Sequence, residues 1–368
     1  MRFAKIIHAE NRESKGRKKS FSLKRSSLLS PHSLLLLFFV SSCIREIDLP
    51  IRVEKPILVV DGMITDEAPP YLVKLTYTGV YKASNRIDEN QAVSGARVTL
   101  TEDTGRKAVF EQVLEEPGKY QMTDASFKGQ VGRTYTLSIE LPNGEVYESK
   151  PEKLMAVPPA ERIYAEFTEA GSGEQRVGYD IFIDTQDPKG VQNYYRWQTY
   201  GYRMRLATGV LNPFSGIMDN KQCWQYFKRD DIDIETDVDF DGNTIKKRLM
   251  IYSPAYANAP QLIEVSQFSL SREVYQFWRR MNEQLTRTGS IFDPLPAPVE
   301  GNIFLKSNPN NLALGYFGAS AVSRKRLVLD NATEAQRQRI EVSSQPFIPT
   351  GGCTVLFPGA TTFKPGGW

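Results

Sequence analysis

Three aspartates at alternate positions form the pattern in this chain that is most typical of metal chemistry. They are Asp237, Asp239 and Asp241. With Gly242 directly after them, they match the opening of a D-x-D-x-D-G calcium loop, but the position of its closing glutamate holds Arg248. A β-hairpin explains the same residues, because the last aspartate and the glycine form a turn between alternating apolar positions. We expect the hairpin, with Arg248 on its second arm, and retain the aspartates as the alternative.

An aromatic stretch is the second candidate site. Exposed aromatic faces bind sugars, peptides or partner loops. In a strand, neighbouring side chains alternate between two faces, so one buried face and one amphipathic face would account for every ring. We therefore expect most of these rings to serve the core. The candidate ligand contacts are Tyr194, Trp197, Tyr200, Tyr202 and Trp224.

Histidine is missing from almost the entire chain. The two histidines are His8 and His32, both close to the N-terminus. The remainder therefore lacks the usual general base, the usual partner of a serine or cysteine nucleophile, and the commonest metal ligand. We predict no catalytic residues and no cofactor, and we expect the protein not to be an enzyme. A histidine-free hydrolase built on two carboxylates is the second alternative to a binding role.

The N-terminal segment resembles a bacterial lipoprotein signal. A basic lead over residues 1–30 precedes an apolar run that ends in Val40-Ser41-Ser42-Cys43. The run is too short to span a bilayer, and small residues before the cysteine fit a cleavage site. We expect residues 1–42 to be removed and Cys43 to carry lipid. The anchored protein would then lie at the outer membrane, on either its surface-exposed or its periplasmic face.

The charge of the chain changes once this leader is set aside. The full chain carries a formal charge of +3, and residues 1–42 contain nine basic and two acidic residues. The remainder therefore holds 37 basic and 41 acidic residues. A mildly acidic body lacks the electrostatic footprint of a nucleic-acid-binding protein, so we predict no nucleic-acid partner.

Two cysteines remain after Cys43. They are Cys223 and Cys353. An exported chain with one leftover pair has one natural pairing, and the compartment outside the cytoplasm oxidises thiols. We predict a disulfide between them, which would fasten the end of the chain to the middle of its second half.

The elements that must position these residues are mainly strands. After a tether over residues 43–56, short alternating runs separated by turn residues fill residues 57–150. They predict an immunoglobulin-like or transthyretin-like β-sandwich. The three prolines at 151, 158 and 159 mark a boundary, and residues 151–368 form a larger β-rich domain. Its prominent helix is predicted over residues 271–288, capped by Ser271.

Several segments of the chain, taken in order, carry a family resemblance. They are Ser41-Ser42-Cys43 with Glu46 and Asp48, Leu58–Thr65, Asn193–Trp197, Gly301-Asn302-Ile303, Gly315–Ser320, and the ending Lys364-Pro365…Trp368. Together they resemble the Bacteroidota outer-membrane lipoprotein family catalogued as domain of unknown function 4249. The family has no established catalytic residues, so the resemblance assigns none here.

The resemblance also implies a role. Members are similar to lipoproteins often encoded beside TonB-dependent receptors. We therefore expect an accessory binding subunit of a TonB-dependent transporter, with membrane lipid and the receptor as partners. The alternative is a structural subunit of an envelope assembly or secretion complex.

Overall fold

A computed structural model of the chain describes residues 55–79, 91–169, 177–257, 259–286, 299–330, 332–344 and 348–368. Within these residues the protein is mostly β, as the sequence predicts. Cys43 and the signal and tether residues 1–54 lie outside the described part of the chain.

The first sheet is built largely from the N-terminal strands. These alternate buried and outward-facing residues, so one face of each strand is apolar. The strands are β1 (Leu58–Thr65), β2 (Tyr71–Tyr77), β3 (Gln91–Ala92), β4 (Arg97–Glu102), β5 (Lys107–Gln112), β6 (Lys119–Met122), β7 (Thr134–Glu140), β8 (Val146–Ser149) and β9 (Glu152–Lys153).

Two strands from far along the chain complete this sheet. The chain returns with β19 (Glu300–Leu305) and β20 (Asn308–Ser320), and β20 pairs parallel with β1. Nine strands then close into a ring in the order β1, β20, β19, β8, β7, β4, β5, β6, β2, and β2 pairs back with β1. The two short strands β3 and β9 pair with β2 and β7 at the margins.

The inward faces of the ring form the largest hydrophobic core. Tyr120, Tyr135 and Phe317 are completely buried there, together with the branched side chains of β4 and β7. Because β20 supplies part of this core, residues assigned by sequence to the second domain complete the first sheet. Val53–Trp368 accordingly forms one compact unit. The immunoglobulin-like sandwich predicted for residues 57–150 is not confirmed, since those strands join a single closed sheet.

The remaining strands form two further sheets and a small hairpin. A three-stranded sheet contains β10 (Ala160–Thr168), β11 (Gly178–Gln186) and β17 (Thr244–Pro254). A six-stranded sheet contains β12 (Tyr194–Leu206), β15 (Gln222–Lys228), β16 (Asp233–Thr236), β18 (Gln261–Ser269), β21 (Val322–Leu329) and β22 (Ala360–Thr361). The hairpin pairs β13 (Val210–Leu211) with β14 (Met218–Asp219).

The three- and six-stranded sheets pack on each other. Ile183 and Met250 from the three-stranded sheet meet Tyr195, Trp197 and Val265 from the six-stranded sheet in one buried cluster. Every residue of the central strand β18 is buried, including its polar ones. Buried polar groups need partners: Gln261 accepts from Arg203 on β12, and Gln267 accepts from Trp197 on β12 and donates to the Pro158 carbonyl.

Three α-helices in the described part of the chain lie outside the sheets. The first, α1 (Arg272–Leu285), begins at Ser271, whose hydroxyl accepts the N–H of Val274 at 3.2 Å. This confirms the predicted helix and its cap, and residues 287–290 lie outside the described chain. The others are α2 (Glu334–Ser344) and the short α3 (Cys353–Leu356). None of the described helices has the length and apolar character required to cross a bilayer.

The hairpin predicted around residues 241–243 is wrong. β16 pairs with β12 in one sheet, and β17 pairs with β11 in the other. The two strands separate because their apolar side chains enter different cores, Ile234 beneath α1 and Ile245 between the sheets. The two strands still share ion pairs, since Arg248 on β17 donates to Asp233 at 2.5 Å and Glu235 at 3.1 Å on β16.

Candidate functional site

The aromatic stretch on β12 is divided between two faces by strand alternation. Trp197 is 2% exposed and lies in the core between the sheets. Its indole N–H donates to the Gln267 side chain at 3.0 Å, and the Arg248 guanidinium lies 4.1 Å from its ring centre. Trp197 is therefore a core residue, and the ligand contact considered for it from sequence is wrong.

Tyr194 and Trp224 are both half-buried. The Tyr194 ring lies 4.9 Å from the ring of Tyr275 on α1, so it helps to hold the helix. Trp224 lies on β15, where its backbone pairs with Thr361 of the C-terminal strand β22. The ring contact of Tyr194 assigns it to packing, whereas Trp224 is half-buried with its indole N–H unpaired among the described residues.

Three tyrosines meet on the outer face of the six-stranded sheet. Tyr200 and Tyr202 are two residues apart on β12, and Tyr226 lies opposite Tyr202 on β15. Their ring centres are 5.5–6.4 Å apart, and Tyr226 is 45% exposed. The structure thus places two of the predicted contact residues at the surface and adds a third that sequence reasoning missed.

A buried carboxylate holds the polar part of this face. Glu264 on β18 is 2% exposed and lies opposite Tyr200. It accepts the Tyr200 hydroxyl at 2.5 Å, the Arg324 guanidinium at 2.7 Å and the Arg326 guanidinium at 2.5 Å. Burial alone would raise the pKa of Glu264, but these three donors lower it below its usual value. The carboxylate therefore stays charged and fixes one tyrosine and two arginines on the same surface.

We call Tyr200, Tyr202, Tyr226, Arg324 and Arg326 the tyrosine–arginine face. Burial and the neighbouring carboxylate raise the pKa of Tyr200 to about 12, so its hydroxyl remains a neutral donor. The side chain of Arg326 is half-exposed. A carboxylate between Leu262-Ile263 and Val265 is the sequence signal that could have found this arrangement, because a buried acid needs cationic or hydroxyl partners nearby.

Two other segments border the tyrosine–arginine face. Glu67, in the loop between β1 and β2, binds Arg324 through two hydrogen bonds of 2.6 Å each. This ion pair links the closed sheet to the six-stranded sheet. On the other side, the C-terminal segment leaves β15 at Thr361 and reaches β21, where the backbone at Gly367 lies against Arg326.

The predicted disulfide is confirmed. Cys223 on β15 and Cys353 at the start of α3 are bonded, with their Cα atoms 5.8 Å apart and both side chains fully buried. The bridge fastens the C-terminal segment to the edge of the six-stranded sheet. The bridge joins two cysteines that are 130 positions apart in sequence.

The aspartate motif forms a cluster, but with a different membership. Carboxylate oxygens of Asp187, Asp237 and Asp241 lie within 4.8 Å of one another, whereas Asp239 is exposed and takes no part. Asp187 accepts the Tyr195 hydroxyl at 2.5 Å. The metal set considered from sequence is therefore wrong in one ligand, because Asp187 arrives from a distant strand end.

The three carboxylates of this cluster are engaged as loop anchors. Gly242 N–H donates to Asp187 at 3.0 Å, Asn193 N–H to Asp237 at 2.6 Å and Gly190 N–H to Asp241 at 2.6 Å. Burial raises the pKa of Asp237, and the two neighbouring carboxylates add to that effect. These oxygens could hold a divalent cation. However, the backbone N–H groups that they accept already explain why the three carboxylates lie close together.

A cleft of about 440 Å³ lies where β11, the start of β18 and α2 meet. This volume falls within the range of small-molecule sites. Its lining includes Tyr179, Tyr256 and Arg337, together with the acidic Asp330 and Glu341. Both signs of charge are present, so the lining does not select the charge of a ligand. Sequence reasoning did not find this cleft, because its walls come from three separate segments.

Comparison with known proteins gives one family. The family model described as Domain of unknown function (DUF4249) matches residues 44–326, which confirms the resemblance found in the sequence. A search among curated proteins finds no match to the chain.

Proposed function

The chain belongs to the family described as Domain of unknown function (DUF4249), and from that membership we propose that it is an accessory binding subunit of a TonB-dependent transporter. Acyl chains on Cys43 hold it at the outer membrane, with residues 43–56 as a tether. The tyrosine–arginine face makes the contact with the receptor.

The observation that carries this proposal is the fixed arrangement of tyrosine and arginine on one open surface. Tyrosine and arginine are enriched among the residues that dominate protein interfaces. Binding is stronger when such side chains are ordered beforehand, because less conformational freedom is lost on association. Glu264 provides that order by accepting one tyrosine hydroxyl and two guanidinium groups.

The closed sheet serves as the platform that supports the tyrosine–arginine face. It takes the place of the immunoglobulin-like module predicted from sequence. Support for this division comes from the Glu67–Arg324 pair, which ties the loop between β1 and β2 to the binding face. A second tie is the hydrogen bond from the Val322 N–H to the Asp66 carboxylate at 2.8 Å. The face is therefore held rigidly relative to the sheet nearest the N-terminal tether.

The test is affinity capture of the full chain from solubilised native outer membranes, followed by identification of what co-purifies. We expect a TonB-dependent receptor with the unchanged chain. Tyr226→Ser removes an exposed ring from the face and should lower receptor recovery about tenfold or more. Val109→Ser is the matched control, because Val109 is 51% exposed on the closed sheet, away from the face.

The same preparations test the anchor. Mass spectrometry of the full chain should find acyl chains on Cys43, and Cys43→Ser should lack them. Recovery of no receptor from native membranes contradicts the proposal. Recovery of an envelope assembly or secretion complex instead supports the alternative of a structural subunit.

A further inference from the structure

The hairpin of β13 and β14 projects apolar side chains into solvent. Exposure is 52% for Val210, 60% for Leu211 and 62% for Ile217. Phe214, at the tip of the turn, is 98% exposed, so almost nothing in the described chain contacts its ring. Single exposed apolar residues are ordinary on protein surfaces, but a contiguous group on one projecting element indicates an interaction site.

The turn of this hairpin also lacks charge, and the one charged residue of its two strands is Asp219 at the end of β14, which accepts the Asn212 side-chain amide at 2.8 Å. Residues 206–218 contain no Asp, Glu, Lys or Arg, although 24% of the full chain is charged. A water-exposed turn in such a chain would ordinarily carry one or more charged residues. A charge-free tip avoids the cost of moving an ion into an apolar phase.

The turn satisfies its own backbone donors. Asn212 accepts the N–H groups of Phe214 and Ser215 on its side-chain oxygen at 2.9 and 3.2 Å, and that of Gly216 on its carbonyl at 2.9 Å. The N–H of Ile217 donates to the Ser215 hydroxyl at 3.3 Å, and the N–H of Asn212 donates to the Ile217 carbonyl. Pro213 has no N–H, so every backbone donor from 212 to 217 is paired within the turn. The turn therefore has no backbone N–H that depends on water for a hydrogen bond.

The base of the hairpin is fixed to the disulfide-linked segment. Gly209 N–H donates to the Gly351 carbonyl at 2.9 Å, and Gly351 N–H donates to the Thr208 hydroxyl at 3.0 Å. Two residues later, Cys353 is bonded to Cys223. Gly352, directly before α3, lies against the Val210 side chain, and Val355 on α3 is 80% exposed. The tip is therefore presented on a braced support.

We infer that this hairpin is a membrane-contact tip that places Phe214 and its apolar neighbours in the interfacial layer of a lipid bilayer. The 98% exposure of Phe214 favours lipid over protein, because a protein partner would have to supply a matching apolar pocket for the ring, whereas a bilayer conforms to it. The absence of charge and the internal pairing of the turn fit the same environment. The inference is independent of acylation at Cys43.

The test uses the chain carrying Cys43→Ser and produced without residues 1–42, so that neither an acyl chain nor the basic and apolar leader contributes to binding; the compact unit Val53–Trp368 is retained whole. Flotation with vesicles of phosphatidylethanolamine and phosphatidylglycerol measures the bound fraction. We expect this chain to float with the vesicles, and Phe214→Ser to lower its partition coefficient at least about tenfold. Leu114→Ser is the matched control, because Leu114 is 80% exposed on the closed sheet and should leave binding unchanged.

Three results would overturn the inference. One is failure of the Cys43→Ser chain to bind vesicles, and another is an equal loss with Leu114→Ser. The third is loss of receptor capture with Phe214→Ser while vesicle binding stays unchanged, which would assign the tip to a protein partner. Vesicle binding and receptor capture are separate measurements, so failure of this inference is distinguishable from failure of the proposed function.

Discussion

Glu152 is a buried carboxylate whose described contacts are all uncharged. It is 4% exposed and accepts the Tyr316 hydroxyl at 2.5 Å, the Ser271 hydroxyl at 3.0 Å and the Asn302 amide at 3.0 Å. Ser271 also caps α1, so this single side chain joins the closed sheet to the helix. Burial raises the pKa of Glu152 above its ordinary value, more than these hydrogen bonds lower it.

A pH dependence follows from that raised pKa. A group whose pKa is higher in the folded state stabilises the fold below its unfolded pKa, and the contribution is lost as pH rises through the folded pKa. Glu152→Gln cannot titrate but keeps an acceptor oxygen. We expect the free energy of unfolding of the unchanged chain, relative to Glu152→Gln, to fall as pH rises above about 4.5. Urea denaturation from pH 4 to 8 measures this difference.

Glu152→Ala is the control for the hydrogen bonds themselves. It leaves three buried donors without their acceptor and should destabilise by about 1–3 kcal/mol for each donor left unpaired. A difference between the unchanged chain and Glu152→Gln that does not vary with pH would contradict the assignment of a raised pKa.

Asp184 shows that burial alone does not decide the direction of a pKa shift. It is 4% exposed, like Glu152, and burial pushes its pKa upwards. The N–H of Lys247 at 2.7 Å and the Arg162 guanidinium at 2.6 Å outweigh burial and lower it. Glu152 lies in the two-residue β9 and Asp184 near the end of β11, and both are buried to the same extent. The donors that other strands bring to Asp184 therefore separate the behaviour of the two acids.

At the scale of elements, α1 connects two parts of the fold. Its Phe277 is 4% exposed and its ring lies 4.9 Å from that of Tyr316 on β20. The neighbouring Trp278 lies under the Arg196 guanidinium, 3.7 Å from the ring centre. Arg196 belongs to β12, and burial lowers its pKa to about 10. The helix therefore covers the junction between the closed sheet and the six-stranded sheet.

Removing the central side chain of this helix should destabilise the whole unit. Phe277→Ala deletes a buried ring, and such truncations cost about 3–5 kcal/mol. Thermal or chemical unfolding of the full chain measures the loss. The matched control is Arg279→Ala on the outer face of the helix, where an exposed ion pair with Glu283 contributes little. Equal losses from the two variants would show that α1 is not packed as described.

At the scale of the whole molecule, closure of the first sheet depends on the parallel pairing of β20 with β1. Where β20 pairs with Val60 of β1, Gly315 has a φ of +83°. A Cβ atom at Gly315 would lie 2.0 Å from the carbonyl oxygen of Val60. Only glycine fits this close approach and this backbone conformation. The ring of nine strands is therefore completed at a position that tolerates no side chain.

Gly315→Ala should destabilise the full chain by at least about 3 kcal/mol, because it adds backbone strain to a steric clash at the closure. Gly318→Ala, three residues along the same strand, is the matched control. A Cβ there meets nothing within 4 Å, so its effect should stay within about 1 kcal/mol. Denaturant unfolding of both variants decides between them, and similar effects would contradict the description of the closure.

The sequence by itself determined the local features of this protein. Period-two alternation identified the strands, 3.6-residue periodicity and Ser271 identified α1, and the count of cysteines identified the disulfide. Each of these depends on residues close together in sequence or on a pairing with one solution. The ordered segments from 41 to 368 also identified the family.

Only the tertiary structure decided how distant segments combine. It joined β20 to β1, brought Asp187 to Asp237, and placed Tyr200 and two arginines around Glu264. Strand alternation determines which residues share a face, but it does not determine which strand lies beside which. That choice depends on which pairings together bury the most apolar surface and satisfy the buried polar groups, so it is a property of the folded chain as a whole.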